Sequence, residues 1–105
     1  MTSPTQRSLK HLREQGHTVA VVERFNPFSK TRLDLFGILD IVSLSPDGET
    51  VGVQTTSGSN VSARVSKIAA SENLAALRRC GWRLLVHGWR KNAAGKWVLR
   101  EVDVS

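Results

Sequence analysis

Asp40 and Gln54 are the two side chains in this chain whose types and spacing suggest chemistry. They stand 14 residues apart, on either side of the turn-forming run Ser45-Pro46-Asp47-Gly48. Asp40 sits in an apolar stretch, Gly37-Ile38-Leu39-Asp40-Ile41-Val42. A lone carboxylate in such surroundings is costly unless a partner or a metal neutralises it. Gln54 and Thr56 end the next apolar stretch and are placed to share its site. A carboxylate, an amide oxygen and a backbone carbonyl make a plausible hard-cation site, because Mg²⁺ and similar ions take oxygen ligands and keep several waters. A structural Asp beside an ordinary polar strand end is the alternative that spacing leaves open.

Other groups can join this site. Asp34, six residues before Asp40, offers a second carboxylate. Lys67 and Arg64, on the helix expected to follow, can bring positive charge, although each also reads as a solvated surface residue. Ser57, Ser59 and Asn60, leading into that helix, are suited to phosphate through backbone N–H groups and hydroxyls, and equally to an ordinary capped loop. No nucleophile with a paired base is visible. His11, His17 and His87 lack metal-ligand spacing and read as structural, and Cys80 reads as a packed thiol.

The elements that must position these groups are legible from patterning. Ser3-Pro4 predicts the start of a helix that stops at Gly16, with Leu9 and Leu12 on its apolar side. His17–Phe25 reads as a first strand and Asn26–Arg32 as a loop. Strands over about 37–44 and 50–55, joined by the Pro-Asp-Gly turn, predict an antiparallel hairpin. A turn centred on Asp47-Gly48 makes Asp40 and Gln54 cross-strand neighbours, with Cβ atoms about 5 Å apart. Both strands are apolar at nearly every position, which predicts a sheet covered on both faces. Asn60 predicts an N-cap for a helix carrying Val61, Val65, Ile68 and Ala69. Ser71 predicts a second helical piece over 72–79, closed by Gly81. Arg83–Trp89 and Lys96–Val104 read as the last strands, turning at Asn92–Gly95. The order α-β-β-β-α-β-β predicts an α/β sandwich around a central mixed sheet, and 105 residues suit a single domain spanning 1–105.

Charge narrows the partners. Fifteen Lys and Arg against nine Asp and Glu give a formal net charge of +6. Arg78, Arg79, Arg83, Arg90, Lys91, Lys96 and Arg100 follow one another with no acid until Glu101. Such a one-signed field favours a polyanion. Trp82, Trp89 and Trp97 flank these cations and are suited either to stacking on bases or to the core. No apolar run approaches the roughly 18 residues that span a bilayer, the polar MTSPTQRSLK start is unlike a secretory signal, and one cysteine allows no intrachain disulfide. A soluble, cytoplasmic protein is the expectation.

With the leading helix, three strands, an acid in the second and Gln54-Thr55-Thr56 ending the third, the chain resembles the PD-(D/E)XK nuclease superfamily over roughly Ser3 to Trp89. It is most similar in size and order to archaeal Holliday junction resolvases and virus-type replication-repair nucleases. The resemblance implies a restriction-endonuclease-like fold. It puts Asp40 at the metal-binding acid, with Leu39 where proline often sits, and Gln54 at the second acid. Thr56 takes the place of the lysine that holds the attacking water. Glu14 falls where a resolvase has a helix-one acid.

The resemblance thus implies a DNA endonuclease dependent on Mg²⁺ or Mn²⁺. Asp40, Gln54, Thr56 and Lys67 would act on the substrate, Asp40, Gln54 and Asp34 would hold the metal, and two chains would form a two-fold homodimer. DNA would be gripped by Ser57, Ser59, Asn60, Arg64, Arg78, Arg79, Arg90, Lys91 and Lys96. Because Gln54 and Thr56 replace an acid and a lysine, a catalytically degenerate nucleic-acid-binding module on the same fold is the alternative. A small assembly or regulatory protein with an acidic partner is a third.

Overall fold

The computed structural model describes residues 2–105. Its centre is a mixed five-stranded sheet in the order β1-β4-β5-β6-β7, and a separate two-stranded ribbon pairs β2 with β3. Helix α1 (Pro4–Glu14) comes first, with Ser3 Oγ accepting from the Gln6 N–H at 3.2 Å and Pro4 in the first turn. Gly16 closes it at φ +86°, a left-handed conformation that glycine adopts without the Cβ clash. β1 (Thr18–Val21), β2 (Arg24–Asn26) and β3 (Thr31–Leu33) follow.

The expected first strand, His17–Phe25, is therefore two strands, and the expected loop at 26–32 is the turn and return strand of a β2–β3 hairpin. Asn26 and Pro27 make the turn between β2 and β3. Pro27 fixes φ near the value a tight turn needs, and Asn26 Oδ1 accepts from the Phe28 N–H at 2.9 Å. The expected strand over 37–44 starts later, as β4 (Ile41–Leu44). Before it the chain folds into a tight turn, with the Gly37 N–H on Asp34 O and the Leu39 N–H on Leu35 O, and with Phe36 and Gly37 at positive φ. β5 (Thr50–Ser57) pairs antiparallel with β4 in the expected register, Ile41 opposite Val53. The Ser45–Gly48 turn closes on a Gly48 N–H to Ser45 O bond.

A 3₁₀ turn (Gly58–Asn60) runs into α2 (Val61–Ala69), then α3 (Leu74–Arg79). Asn60 makes no side-chain cap to α2; its amide donates to Ser57 Oγ instead. β6 (Arg83–Lys91) lies parallel to β5, and β7 (Trp97–Asp103) is antiparallel to β6.

Alternation along β5 and β6 sorts two cores. Val51, Val53 and Leu85 meet Leu9 and Leu12 of α1 on one face. Leu84 and Val86 meet Val61, Ile68, Leu74 and Leu77 of α2 and α3, with Ile38 and Leu39, on the other. The result is a compact α/β domain with helices on both faces of a mixed sheet. Gly88 permits the close approach of α2, since a Cβ there would collide with Val61. Cys80 is exposed at the end of α3 rather than packed, because the helix terminates there and turns its last residue to solvent. No helix among the described residues is long and apolar enough to cross a membrane.

Candidate functional site

Asp40 immediately precedes β4, opposite Gln54 of β5. The equivalent positions of an antiparallel pair put both side chains together, and the Gln54 amide donates to Asp40 Oδ2 at 2.8 Å. The same oxygen accepts from the Thr55 N–H at 2.7 Å and from Thr55 Oγ1 at 3.1 Å. Thr55 points to the α1 face, where its hydroxyl also meets Thr5 Oγ1. The Asp40 carboxylate is thus held, among the described residues, by hydrogen bonds from β5 alone, and the residue is only 4 % exposed.

Two further carboxylates close on it. Glu23 lies between β1 and β2 and Asp34 just after β3, at the two roots of the hairpin. One oxygen from each of Glu23, Asp34 and Asp40 lies within 4.8 Å of the others. Burial, with help from the Asp34 and Glu23 charges, pushes the Asp40 carboxyl from its ordinary 3.8 up to about 7, against the pull of the Thr55 N–H. Three crowded carboxylates in a partly dry site are a demand for positive charge.

Gln54 adds a second demand. Its NH₂ is committed to Asp40, so the amide orientation is fixed by chemistry, since only the nitrogen can donate to a carboxylate. Its Oε1 is buried, with no hydrogen-bond donor among the described residues. A buried unmet acceptor costs about 1–3 kcal/mol. The three carboxylates lie close enough together to hold a metal ion, and oxygen ligands of this kind suit a hard divalent cation.

The site opens into a cleft of about 440 Å³, bordered by the first residues of α1 and by Thr56, Arg32, Arg64 and Lys67. Lys67 Nζ lies 3.4 Å from Asp34, and Arg32 lies 3.9 Å from Glu23. The carboxylates face inward, and the cations stand around the rim.

The expected site residues divide by position. Asp34, Asp40, Gln54, Thr56, Arg64 and Lys67 come together with Ser57 around this cleft. Ser57 and Ser59 spend their hydroxyls on one another at 3.2 Å, so the serine run is a self-satisfied turn. Glu14 lies apart, in a second cleft with His11, Trp89 and Trp97. The long basic run does not form one surface. Arg90 and Lys91 end β6 at the same end of the sheet as Gln54–Ser57, and Lys96 precedes β7 beside them. Arg78, Arg79 and Arg83 lie at the opposite end, roughly 27 Å away along the strand. There Arg78 donates to Val104 O and Arg83 pairs with Asp103.

Glu23, Thr55 and Arg32 are the members that sequence reasoning missed, Arg32 because its segment reads as a loop. Glu23 ends the Val-rich run of β1, and only the pairing of Val22 N–H with Asp40 O brings it beside the site. Thr55 lies on the opposite face of its strand, and its backbone N–H carries no sequence signal.

Of the three tryptophans, Trp82 packs on the apolar core. Trp97 is exposed, with the Arg7 guanidinium 3.7 Å from its ring centroid. Comparison with known proteins adds no relative to this geometry: no protein-family model, no curated protein and no solved structure matches the chain.

Proposed function

We propose that the protein is a divalent-cation-dependent nuclease of the PD-(D/E)XK type, with a restriction-endonuclease-like topology, acting on DNA and preferring branched DNA. One observation carries this reading: three carboxylates within 4.8 Å of one another, beside an unmet buried amide oxygen, under a rim of Arg32, Arg64 and Lys67. That combination suits a phosphodiester over a metal better than it suits a purely structural cluster, which would satisfy its own acceptors.

Glu23, Asp34, Asp40 and Gln54 Oε1 would hold Mg²⁺ or Mn²⁺. Such an ion, when bound, would supply Lewis-acid polarisation of a phosphoryl oxygen and offset negative charge there. Thr56 stands where the resemblance expects a lysine; its hydroxyl orients a water by hydrogen bonding but brings no charge. Lys67 brings it instead, since its ammonium can exchange Asp34 for a phosphate oxygen. Arg64 and Arg32 hold the flanking phosphates, and Arg90 and Lys91 extend the positive path along the same end of the sheet. The N-terminus of α1 adds its partial positive charge at the cleft wall.

The test is incubation with a panel of single-stranded, duplex, forked and four-way DNA in Mg²⁺ and, separately, in Mn²⁺. Expected is metal-dependent cleavage that Asp40→Ala lowers at least about a hundredfold while DNA affinity survives. Salt-sensitive binding with no cutting in either metal would instead establish the catalytically degenerate binding module, which the Gln54 and Thr56 departures favour. Absence of both binding and cutting removes the nucleic-acid reading.

A further inference from the structure

The β2–β3 hairpin supplies Glu23 and Asp34 from its roots and Arg32 to the rim of the cleft, but its tip has no role in the site. It forms its own two-stranded sheet. Such ribbons are marginal when isolated, yet its tip is carefully built. Asn26 Oδ1 accepts from the N–H groups of Phe28 and Ser29, and the Ser29 and Thr31 hydroxyls bond at 2.6 Å. Lys30 closes the turn at φ +53°. All of this holds Phe28 at the apex with 97 % of its surface exposed.

The segment from Arg24 to Leu33 carries Arg24, Lys30 and Arg32 and no acid. Register puts Phe25 opposite Arg32 and Arg24 opposite Leu33, so each face of the ribbon presents one apolar side chain beside one cation. Phe25 and Leu33 are exposed as well. Three cations with no acid among them favour a polyanion over another protein's apolar surface. An arm meant for a polyanion with flat apolar faces needs this pairing, because phosphates take the guanidinium and ammonium groups while an aromatic ring stacks on or wedges between bases.

We infer that the hairpin is a nucleic-acid arm: Phe28 inserts against an unpaired or unstacked base at a branch or duplex end, and Arg24, Lys30 and Arg32 grip the flanking phosphates. Its two roots carry Glu23 and Asp34, so the phosphate beside the opened base is led to the carboxylate cluster. The inference rests on the nucleic-acid part of the proposed function and is independent of whether the protein cuts.

The experiment is done in EDTA, with no cleavage, on forked and four-way DNA carrying 2-aminopurine at the branch. Wild type is expected to bind and raise the 2-aminopurine fluorescence, reporting unstacking. Phe28→Ala is expected to weaken binding roughly five- to hundredfold, the span of one lost base stack, and to abolish the rise. Phe28→Trp is expected to restore affinity, and Lys30→Ser to weaken binding and flatten its salt dependence. Asp40→Ala, which disables the proposed cutting, is expected to leave the fluorescence rise in place. A protein that unstacks the branch in this way but never cuts in Mn²⁺ keeps the arm and loses the nuclease. Phe28→Ala binding and unstacking DNA like wild type overturns the arm. So does a Phe28→Ala effect confined to self-association in sedimentation, which would assign the ring to a protein interface.

Discussion

Two buried polar clusters occupy this small domain, and they are opposites in how they are satisfied. His87, fully buried on the α1 face, has both ring nitrogens engaged: Nδ1 with Ser8 Oγ and Nε2 with Glu101 Oε2, each at 2.9 Å. An ionised Glu101 can only accept, so Nε2 carries the proton. Nδ1 then accepts from the Ser8 hydroxyl, and Ser8 accepts in turn from the Trp89 indole N–H. Every group in that chain is used, and it ties α1 to β6 and β7. The Asp40 cluster does the reverse: like charges are crowded, and an amide oxygen is left without a donor. The closed network ties the fold together, whereas the open one leaves charge repulsion and an acceptor unmatched within the protein.

That contrast can be broken in several ways. The largest expected effect on stability is His87→Ala, which leaves Ser8 and Glu101 without their common partner and opens a cavity. Only these two lose a direct hydrogen-bond partner, since the Trp89 indole donates to Ser8; the change should cost about 3 kcal/mol in urea denaturation while leaving the Mn²⁺ response of the folded protein intact. Next, Mn²⁺ at a hundred times its dissociation constant should stabilise the wild type by about 2.7 kcal/mol. A wild-type melting temperature that ignores Mn²⁺ would mean that the open cluster is not a cation site.

The pH dependences should have opposite signs. Asp40, raised from 3.8 to about 7, binds its proton more tightly in the folded state than in the unfolded. Its contribution is full below 3.8 and is lost as pH rises through 7. Without metal, Asp40→Asn should therefore gain stability over wild type as pH climbs from 4 to 8, read from paired urea midpoints. A gap that stays constant with pH would show that the carboxylates are not in conflict. His87 runs the other way. Burial lowers its pKa from 6.5, so its contribution is full above 6.5 and is lost on acidification. The smallest effect is expected from Gln54→Glu, which adds an anionic ligand and should lower the Mn²⁺ concentration at half-effect about tenfold, equivalent to about 1.4 kcal/mol.

Local patterning carried much of this architecture. Ser3-Pro4 and Gly16 bound α1, Ser45–Gly48 sets the central hairpin, and the resulting register makes Asp40 and Gln54 neighbours, because a tight turn fixes every pair that follows it. The same local reasoning took Asn26–Arg32 for a loop, since Pro27 and the polar residues around it hid a ribbon whose pairing lies across its own turn. It also took the cations from Arg78 to Arg100 for one surface, although a strand nine residues long carries its two ends far apart.

What the sequence by itself determined is therefore the periodicity, the caps and the one hairpin whose partners are close along the chain. Tertiary structure decided what depends on non-local meeting: Glu23 and Asp34 brought to Asp40 by the roots of the arm, the Thr55 N–H turned onto its carboxylate, and Ser8 brought under His87 from the far end of the chain. The physical reason is that short-range sterics and hydrogen bonding specify turns and strand alternation. Charge crowding and unmet acceptors exist only once distant segments are packed into the same few ångströms.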